Sequence, residues 1–64
     1  MRIYDCHPVG KPEEAETVCV RDNDAYIRGL KPKTRYEIQR GGNLKIATSD
    51  SEGKIRIGVG YLLD

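Results

Sequence analysis

The sequence lacks tryptophan and phenylalanine, and it has only two cysteines, one histidine and one methionine in 64 residues. Its large apolar side chains are six Ile, four Val and four Leu, together with four half-polar Tyr. This length allows one domain. A core of this size leaves little room for the walled pocket of several hundred Å³ that catalysis usually needs. We therefore expect residues 1–64 to form one small non-catalytic module, either complete or part of a larger protein.

Long apolar runs and a strong net charge are also missing. No run approaches the ~18–20 apolar residues that span a bilayer, and residues 1–5 lack the apolar stretch of a signal peptide. The 11 Lys and Arg nearly balance the 10 Asp and Glu, which gives a net charge of +1. Proteins that bind nucleic acid or membrane surfaces usually carry a clear basic excess. We expect no membrane partner, and a nucleic-acid partner is disfavoured.

The second half of the chain alternates apolar and polar residues with period two. Residues 34–39, 44–48 and 54–59 all follow this pattern and are rich in β-branched residues. Period two predicts half-buried antiparallel strands. The intervening segments 41–43 and 49–53 contain the Gly, Asn, Asp and Ser typical of tight turns. The sequence therefore predicts a C-terminal meander of three strands.

The first half predicts three shorter strands. Residues 17–21 read as a strand with Val18 and Val20 facing inward, and residues 25–28 as a short strand, with residues 3–5 as an edge strand. Together with the meander, these segments predict an all-β domain of five or six antiparallel strands, arranged as a sandwich or small barrel.

Residues 7–16 contain three prolines or glycines and three glutamates, which favours an acidic loop. A short helical turn at residues 12–15 is the alternative, because Pro followed by Glu suits a helix N-terminus. In the strand at 25–28 we expect Ala25 and Ile27 to face the core.

The segment GLKPKTRYEI at residues 29–38 resembles the G-L-x-P-x-T-x-Y-x-[VI] pattern of fibronectin type III-like β-sandwich domains. The resemblance covers about residues 25–48 and implies a tyrosine corner formed by Leu30, Pro32, Thr34 and Tyr36. Pro32 fixes φ in the connection, and Leu30 plugs the core. The Tyr36 ring packs inward, so its hydroxyl can hydrogen-bond backbone a few residues upstream.

The chain departs from that family in length and in composition. Such domains have about 100 residues, seven strands and a core tryptophan, whereas this chain has no tryptophan and is short by at least one strand. It is therefore either a truncated sandwich or another small β-fold with the same corner. The pattern is also similar to small C-terminal β-modules of bacterial polysaccharide-processing enzymes, which implies an accessory role.

Cys6 and Cys19 are either a disulfide or two free thiols. A disulfide would close a loop of about 14 residues and stabilise the fold by roughly 3 kcal/mol. Cys19 alternates with Val18 and Val20, which places it on the face opposite the core and favours free thiols. With His7 the cysteines provide three soft ligands without the paired short spacing of a zinc site. We expect no metal and no cofactor.

Five carboxylates fall in expected loops or at strand ends, where solvent would keep their pKa values ordinary. We therefore assign no catalytic residue. The five carboxylates are Glu13, Glu14, Glu16, Asp22 and Asp24.

Arg35, Lys45 and Arg56 are predicted to point outward from three successive strands, where they would form a basic stripe. Sheets that bind single-stranded nucleic acid also present aromatic side chains for base stacking. The predicted stripe has none, so a solvated face that resists edge aggregation is the favoured interpretation. A nucleic-acid binder of the OB type is the weakest functional hypothesis.

Two groups of apolar side chains are candidates for an interaction surface. Tyr4 and Tyr26 are predicted to point outward from their strands. Tyr61, Leu62 and Leu63 make the C-terminal tail apolar, although termini are normally polar and frayed. The tail either returns to its own core or packs on a neighbouring chain, and the second option predicts a homo-oligomer, a dimer or a trimer.

The sequence therefore favours a non-catalytic accessory or protein-interaction module, attached to a carbohydrate-processing or surface protein. Its expected partner is another protein or a neighbouring domain. The alternative hypothesis is a small self-assembling structural protein of the virus or phage surface type. An extracellular, cell-surface or virion-surface location is favoured.

Overall fold

The computed structural model of the chain describes residues 2–21, 24–58 and 60–62. This part of the chain contains β-strands and one 3₁₀ turn, as the all-β prediction required. The strands are β1 (Arg2–Pro8), β2 (Glu16–Val20), β3 (Tyr26–Ile27), β4 (Arg35–Arg40), β5 (Asn43–Thr48) and β6 (Ile55–Arg56), and the 3₁₀ turn is Pro12–Glu14.

The strands form two antiparallel sheets that enclose one core. The large sheet has the strand order β2-β1-β4-β5, and the small sheet pairs β3 with β6. One face of the large sheet, here called the inner face, packs on the small sheet, as expected for a small sandwich. The buried core side chains are Tyr4, Cys6, Val20, Ile27, Leu30, Tyr36, Ile38, Ile55 and Ile57.

The prediction of an edge strand at residues 3–5 was wrong. β1 is seven residues long and lies between β2 and β4. Its alternation is also the reverse of the expected one, because Tyr4 and Cys6 are buried while Ile3 is 54% exposed. The Tyr4 ring fills the core, and its hydroxyl donates a hydrogen bond to the Tyr61 carbonyl at 3.3 Å. Because its hydroxyl has a hydrogen-bond partner, Tyr4 can be buried in the core while the neighbouring Ile3 is exposed.

The predicted three-strand meander is also wrong in its last strand. β4 and β5 form a hairpin, but β6 pairs with β3 in the small sheet. Residues 49–53 therefore carry the chain from one sheet to the other instead of closing a second hairpin. Val59, at the end of the predicted strand, lies outside the described residues.

The crossing between the sheets is fixed by hydrogen bonds at its bend. The Asp50 carboxylate accepts from the backbone N–H groups of Glu52 at 2.8 Å and Lys54 at 2.9 Å. Leu30 N donates to Gly53 O at 3.1 Å. Gly53 has a φ of 74°, and a Cβ there would clash with the Leu30 carbonyl oxygen, so only glycine allows this close approach.

The faces of β5 are reversed relative to the sequence prediction. Ala47 lies opposite Tyr36, and Lys45 lies opposite Ile38. Paired residues of an antiparallel sheet share a face, so Lys45 and Ala47 lie on the inner face. Leu44 and Ile46 are consequently on the other face, where they are 60% and 44% exposed.

The remaining strand predictions are correct except at Ala25. In β2, Val20 is buried, Val18 is half-buried and Cys19 is exposed. Ile27 of β3 is buried, but Ala25 precedes the strand and is exposed; its carbonyl accepts a hydrogen bond from Ile57 N at 2.8 Å.

The loop predicted at residues 7–16 is shorter than expected. β1 continues to Pro8, and the helical-turn alternative is present as the 3₁₀ turn Pro12–Glu14. Pro12 begins that turn, as its fixed φ favours.

Cys6 and Cys19 are both free thiols, so the disulfide alternative is wrong. Cys6 lies opposite Glu16, and Cys19 lies opposite Ile3. The two side chains therefore project from opposite faces of the sheet, which prevents a disulfide. Burial, reinforced by the charges of Asp5 and Glu16, raises the pKa of the Cys6 thiol to about 11.

The two thiols should differ sharply in reactivity, because only the thiolate attacks and only Cys19 is accessible. Near pH 8 we expect Ellman's reagent to modify one thiol in the native protein and two after denaturation. Cys19→Ser should abolish the native reaction, while Cys6→Ala should leave it unchanged. A native count of zero or two would contradict the opposite-face arrangement.

Candidate functional site

The structure brings together the residues of the predicted corner. Leu30 and Tyr36 are buried in the core. The Tyr36 hydroxyl accepts a hydrogen bond from Lys31 N at 2.9 Å, which is the predicted bond to backbone upstream. Thr34 Oγ1 donates to the Pro32 carbonyl at 2.9 Å, so the bend between β3 and β4 is held at two points.

Ser49 completes the corner, and the sequence interpretation missed it. It is the buried polar residue of the described chain. Its hydroxyl accepts from Thr34 N at 2.9 Å and donates to the Lys31 carbonyl. Because Ser49 begins a run of turn-forming residues, its sequence context indicated an exposed turn. The distinguishing signal was its position directly after a strand that pairs with the corner strand.

A shallow cleft of about 360 Å³ lies beside the corner. Four of its side chains are cationic and one is acidic. The Glu14 carboxylate lies 2.7 Å from Lys31 Nζ and 4.0 Å from Lys11 Nζ. The hydrogen bond from Lys31 lowers the pKa of Glu14. The lining residues are Pro8, Val9, Lys11, Glu14, Lys31, Lys33, Thr34 and Arg35.

In this cleft the ion pair between Glu14 and Lys31 links the 3₁₀ turn to the corner. A carboxylate with a lowered pKa is not suited to act as a general acid near neutral pH. Its negative charge also opposes the binding of an anion by the surrounding lysines. The other candidate carboxylates do not join Glu14 there: Glu13 and Glu16 are exposed, Asp24 is half-buried near β3, and Asp22 lies outside the described residues.

The predicted basic stripe does not form. Arg35 is exposed on β4, but Lys45 lies on the inner face, with its ammonium 4.6 Å from the centre of the Tyr61 ring. Arg56 belongs to the small sheet. The prediction was wrong because the β4–β5 register places Lys45 on the inner face and because β6, with Arg56, is not part of the large sheet.

The described residues of the apolar tail return to the core of their own chain. Tyr61 and Leu62 are half-buried and pack against the core, and the Tyr4 and Tyr61 ring centres are 6.2 Å apart. Burial raises the pKa of Tyr61. Leu63 lies outside the described residues. The outward orientation predicted for Tyr4 is therefore wrong, because its side chain is buried. Tyr61 and Leu62 follow the first of the two options for the tail, and their use as an interaction surface stays a prediction.

Tyr26 is half-buried on the small sheet, with Lys54 Nζ 5.8 Å from the centre of its ring. The lysine covers part of the ring that was predicted to be an exposed contact.

The second face of the large sheet, here called the outer face, is its most exposed surface. Ile3, Leu44 and Ile46 project from it, and His7 Nε2 lies 3.0 Å from Glu37 Oε2 at its centre. No described element covers this face. By strand register its residues are Thr17, Cys19, Ile3, Asp5, His7, Arg35, Glu37, Gln39, Leu44, Ile46 and Thr48.

β5 forms one edge of the large sheet, and its register shows which backbone groups are open. Ser49 N donates to Thr34 O at 2.9 Å. Hydrogen-bonded pairs alternate with non-bonded pairs along an antiparallel ladder, so Ala47 and Lys45 also bond to β4. The backbone groups of the alternate residues must point away from β4, toward the open side of the edge. These residues are Leu44, Ile46 and Thr48.

Leu44 and Ile46 therefore combine two properties of a binding edge. Their side chains form an exposed apolar pair on the outer face, and their backbone groups face outward in the plane of the sheet. An exposed edge strand of this kind is a template for pairing with another strand. The sequence could not indicate this edge, because it predicted the opposite faces for β5 and a further strand beside it.

Three kinds of comparison were made with known proteins, and no family model, curated protein or solved structure matched this chain. In the described residues, no helix has the length and hydropathy to cross a membrane. The same residues bring no three His, Cys, Asp or Glu side chains together as metal ligands. The candidate site is the open β5 edge together with the adjoining outer face.

The corner hydrogen bond can be tested by Tyr36→Phe. Removing the hydroxyl leaves Lys31 N without its acceptor, and we expect a loss of about 1 kcal/mol in the free energy of unfolding with the fold retained. Tyr26→Phe is the control, because the corner does not involve its hydroxyl. Equal stability of Tyr36→Phe and the parent in urea denaturation would contradict the structural role of this bond.

The reversed faces of β5 predict unequal costs for two similar substitutions. Ile46→Thr should change the unfolding free energy by no more than about 0.5 kcal/mol, since Ile46 is partly solvated. Ile38→Val, in the core, should cost about 1 kcal/mol. Urea denaturation of dilute protein measures both. A larger loss for Ile46→Thr than for Ile38→Val would place Ile46 in the core instead.

Proposed function

We propose that this chain is a non-catalytic protein-interaction module that binds its partner along the β5 edge and the adjoining outer face. The observation that carries this proposal is the edge position of Leu44 and Ile46. An extended segment that pairs with β5 would gain main-chain hydrogen bonds from their outward groups, and it would cover their side chains. Affinity would come from the backbone and selectivity from the side chains on the outer face.

The chemistry of the outer face favours a protein over a nucleic acid or a sugar. Its described residues mix acidic with basic groups, as the His7–Glu37 pair illustrates. They include no tyrosine on which a base or sugar ring could stack. An apolar pair at the edge of a mixed-charge face is typical of a protein contact.

The strand arrangement supports a fibronectin type III-like or immunoglobulin-like interaction module. In such sandwiches the strand with the corner tyrosine lies between two neighbours of its own sheet, and the preceding strand belongs to the other sheet. Here β4 carries Tyr36 between β1 and β5, and β3 lies in the small sheet. Domains of this architecture commonly serve as accessory and cell-surface modules, which agrees with a role beside a larger carbohydrate-processing or surface protein.

The alternative function, a small self-assembling structural protein, is supported by the same edge. An open strand can pair with another copy of itself as readily as with a foreign peptide. The two functions use one surface and differ in the partner.

A displayed library of random twelve-residue peptides tests the interaction function. We expect the selected peptides to be extended and to shift the amide NMR signals of β5 and of the neighbouring outer-face residues. Ile46→Pro removes an outward N–H without removing a bond to β4, and it should weaken binding at least tenfold.

Thr17→Pro is the matched control, since by the same alternation it removes an outward N–H from β2, the opposite edge strand. It should leave peptide binding unchanged. Peptides that instead shift signals only in the cleft beside the corner, or on the small sheet, would contradict the proposed site.

A further inference from the structure

We propose that the partner of the β5 edge is a second copy of this chain, paired antiparallel about a two-fold axis with Ile46 opposite Ile46 of the second copy. This inference rests on the proposed interaction function and names the occupant of that site. It joins two four-stranded sheets into one continuous sheet of eight strands.

The alternation of the strand restricts the registers open to such a dimer. Residues opposed in an antiparallel pair share a face, so a two-fold axis perpendicular to the sheet must pass through a residue opposed to itself. The central positions of β5 allow Lys45, Ile46 or Ala47 at the axis.

The outward hydrogen-bonding groups favour the register centred on Ile46. In this register Leu44 lies opposite Thr48 of the other copy, and Ile46 lies opposite itself. Every β5 residue whose backbone groups face outward is then paired with a β5 residue of the other copy. A register centred on Lys45 or Ala47 would place one of them opposite a turn residue outside β5.

Charge also selects this register. An axis at Lys45 would oppose two ammonium groups, and like charges directly opposite one another are destabilising. An axis at Ile46 places Lys45 opposite Ala47, whose small side chain leaves room. Lys45 already lies over the Tyr61 ring at 4.6 Å. An inward-pointing lysine can guard an edge against pairing. Here it disfavours the register centred on Lys45 and tolerates the one that places it opposite alanine.

The side chains of the outer face complete the contact. Ile46 meets its own copy at the axis, and Leu44 of each chain lies beside it against Thr48. Leu44 and Ile46 of the two protomers therefore form one cluster of four apolar side chains. The other edge strand, β2, has only Thr17 and Cys19 pointing outward, which makes β5 the longer ladder.

The dimer should be weak. An interface made by one strand from each chain falls below the ~1,200 Å² of stable protein–protein contacts. We expect a dissociation constant on the order of 0.1 mM. Sedimentation equilibrium should show a mass that rises from 7.2 kDa in dilute solution toward twice that value at millimolar concentration.

Charge substitutions at the axis test the register. Ile46→Lys and Ile46→Glu should each remain monomeric, because each places like charges opposite one another. An equimolar mixture of the two variants should restore a one-to-one complex. Ile46 is partly exposed, so both variants should keep the parent circular dichroism spectrum, which confirms that they fold.

The matched control is the pair Leu44→Lys and Leu44→Glu. Leu44 lies opposite Thr48 and not opposite itself, so mixing these variants should strengthen association less than tenfold. A parent protein that stays monomeric at millimolar concentration would overturn the proposal, as would a dimer unaffected by the Ile46 charges. Growth beyond a dimer would also overturn it, since it indicates β5-to-β2 pairing.

The two proposals fail separately. Loss of self-association with peptide binding at β5 retained would remove the second copy as partner and leave the interaction function in place. Loss of peptide binding in a protein that still dimerises through Ile46 would instead identify the chain as self-assembling.

Discussion

The pairing of Arg40 with Asn43 across the Gly41–Gly42 turn is the constraint on which the rest of the molecule depends. Gly41 has a φ of 58°, as the first central residue of a type II′ hairpin turn requires. A two-residue turn fixes the register of the hairpin, so it determines which residue of β5 lies opposite each residue of β4. A shift of one residue would move Leu44 and Ile46 into the core and turn their backbone groups toward β4. One turn therefore sets the composition of the core and the chemistry of the open edge together.

The corner performs a second task, which is to keep the two sheets in contact. Tyr36 and Ser49 both hydrogen-bond to the backbone of Lys31. The Tyr36 hydroxyl accepts from its N–H, and the Ser49 hydroxyl donates to its carbonyl. Leu30 bonds to Gly53 at the point where the chain crosses from β5 to β6. The β3–β4 and β5–β6 crossings between the sheets thus meet at one place, where the backbone groups of Leu30 and Lys31 acquire hydrogen-bond partners. This arrangement holds the small sheet over the inner face and leaves the outer face uncovered.

How far the sequence predicts this structure depends on the range of each determinant. The all-β class and the hairpin strands followed from period two and from turn residues, which are local signals. The corner followed from the resemblance of residues 29–38 to the fibronectin type III-like pattern. The faces of β1 and β5 did not follow, because alternation gives two equivalent choices and hydropathy chose wrongly between Ile3 and Tyr4. The place of β6 in the small sheet depended on the contact between Gly53 and Leu30, which are far apart in sequence. Because β6 leaves the large sheet, β5 becomes its edge strand.

The most direct measurement is residue-resolved amide hydrogen exchange along β5 at two protein concentrations. In dilute protein we expect protected amides at Lys45 and Ala47, which bond to β4. We expect rapid exchange at Leu44, Ile46 and Thr48, which face the open edge. At millimolar concentration the exchange of the second group should slow, while the first group changes little. Uniform protection along β5 in dilute solution, or protection of Leu44 and Ile46 in place of Lys45 and Ala47, would contradict the register from which the edge and its function were inferred.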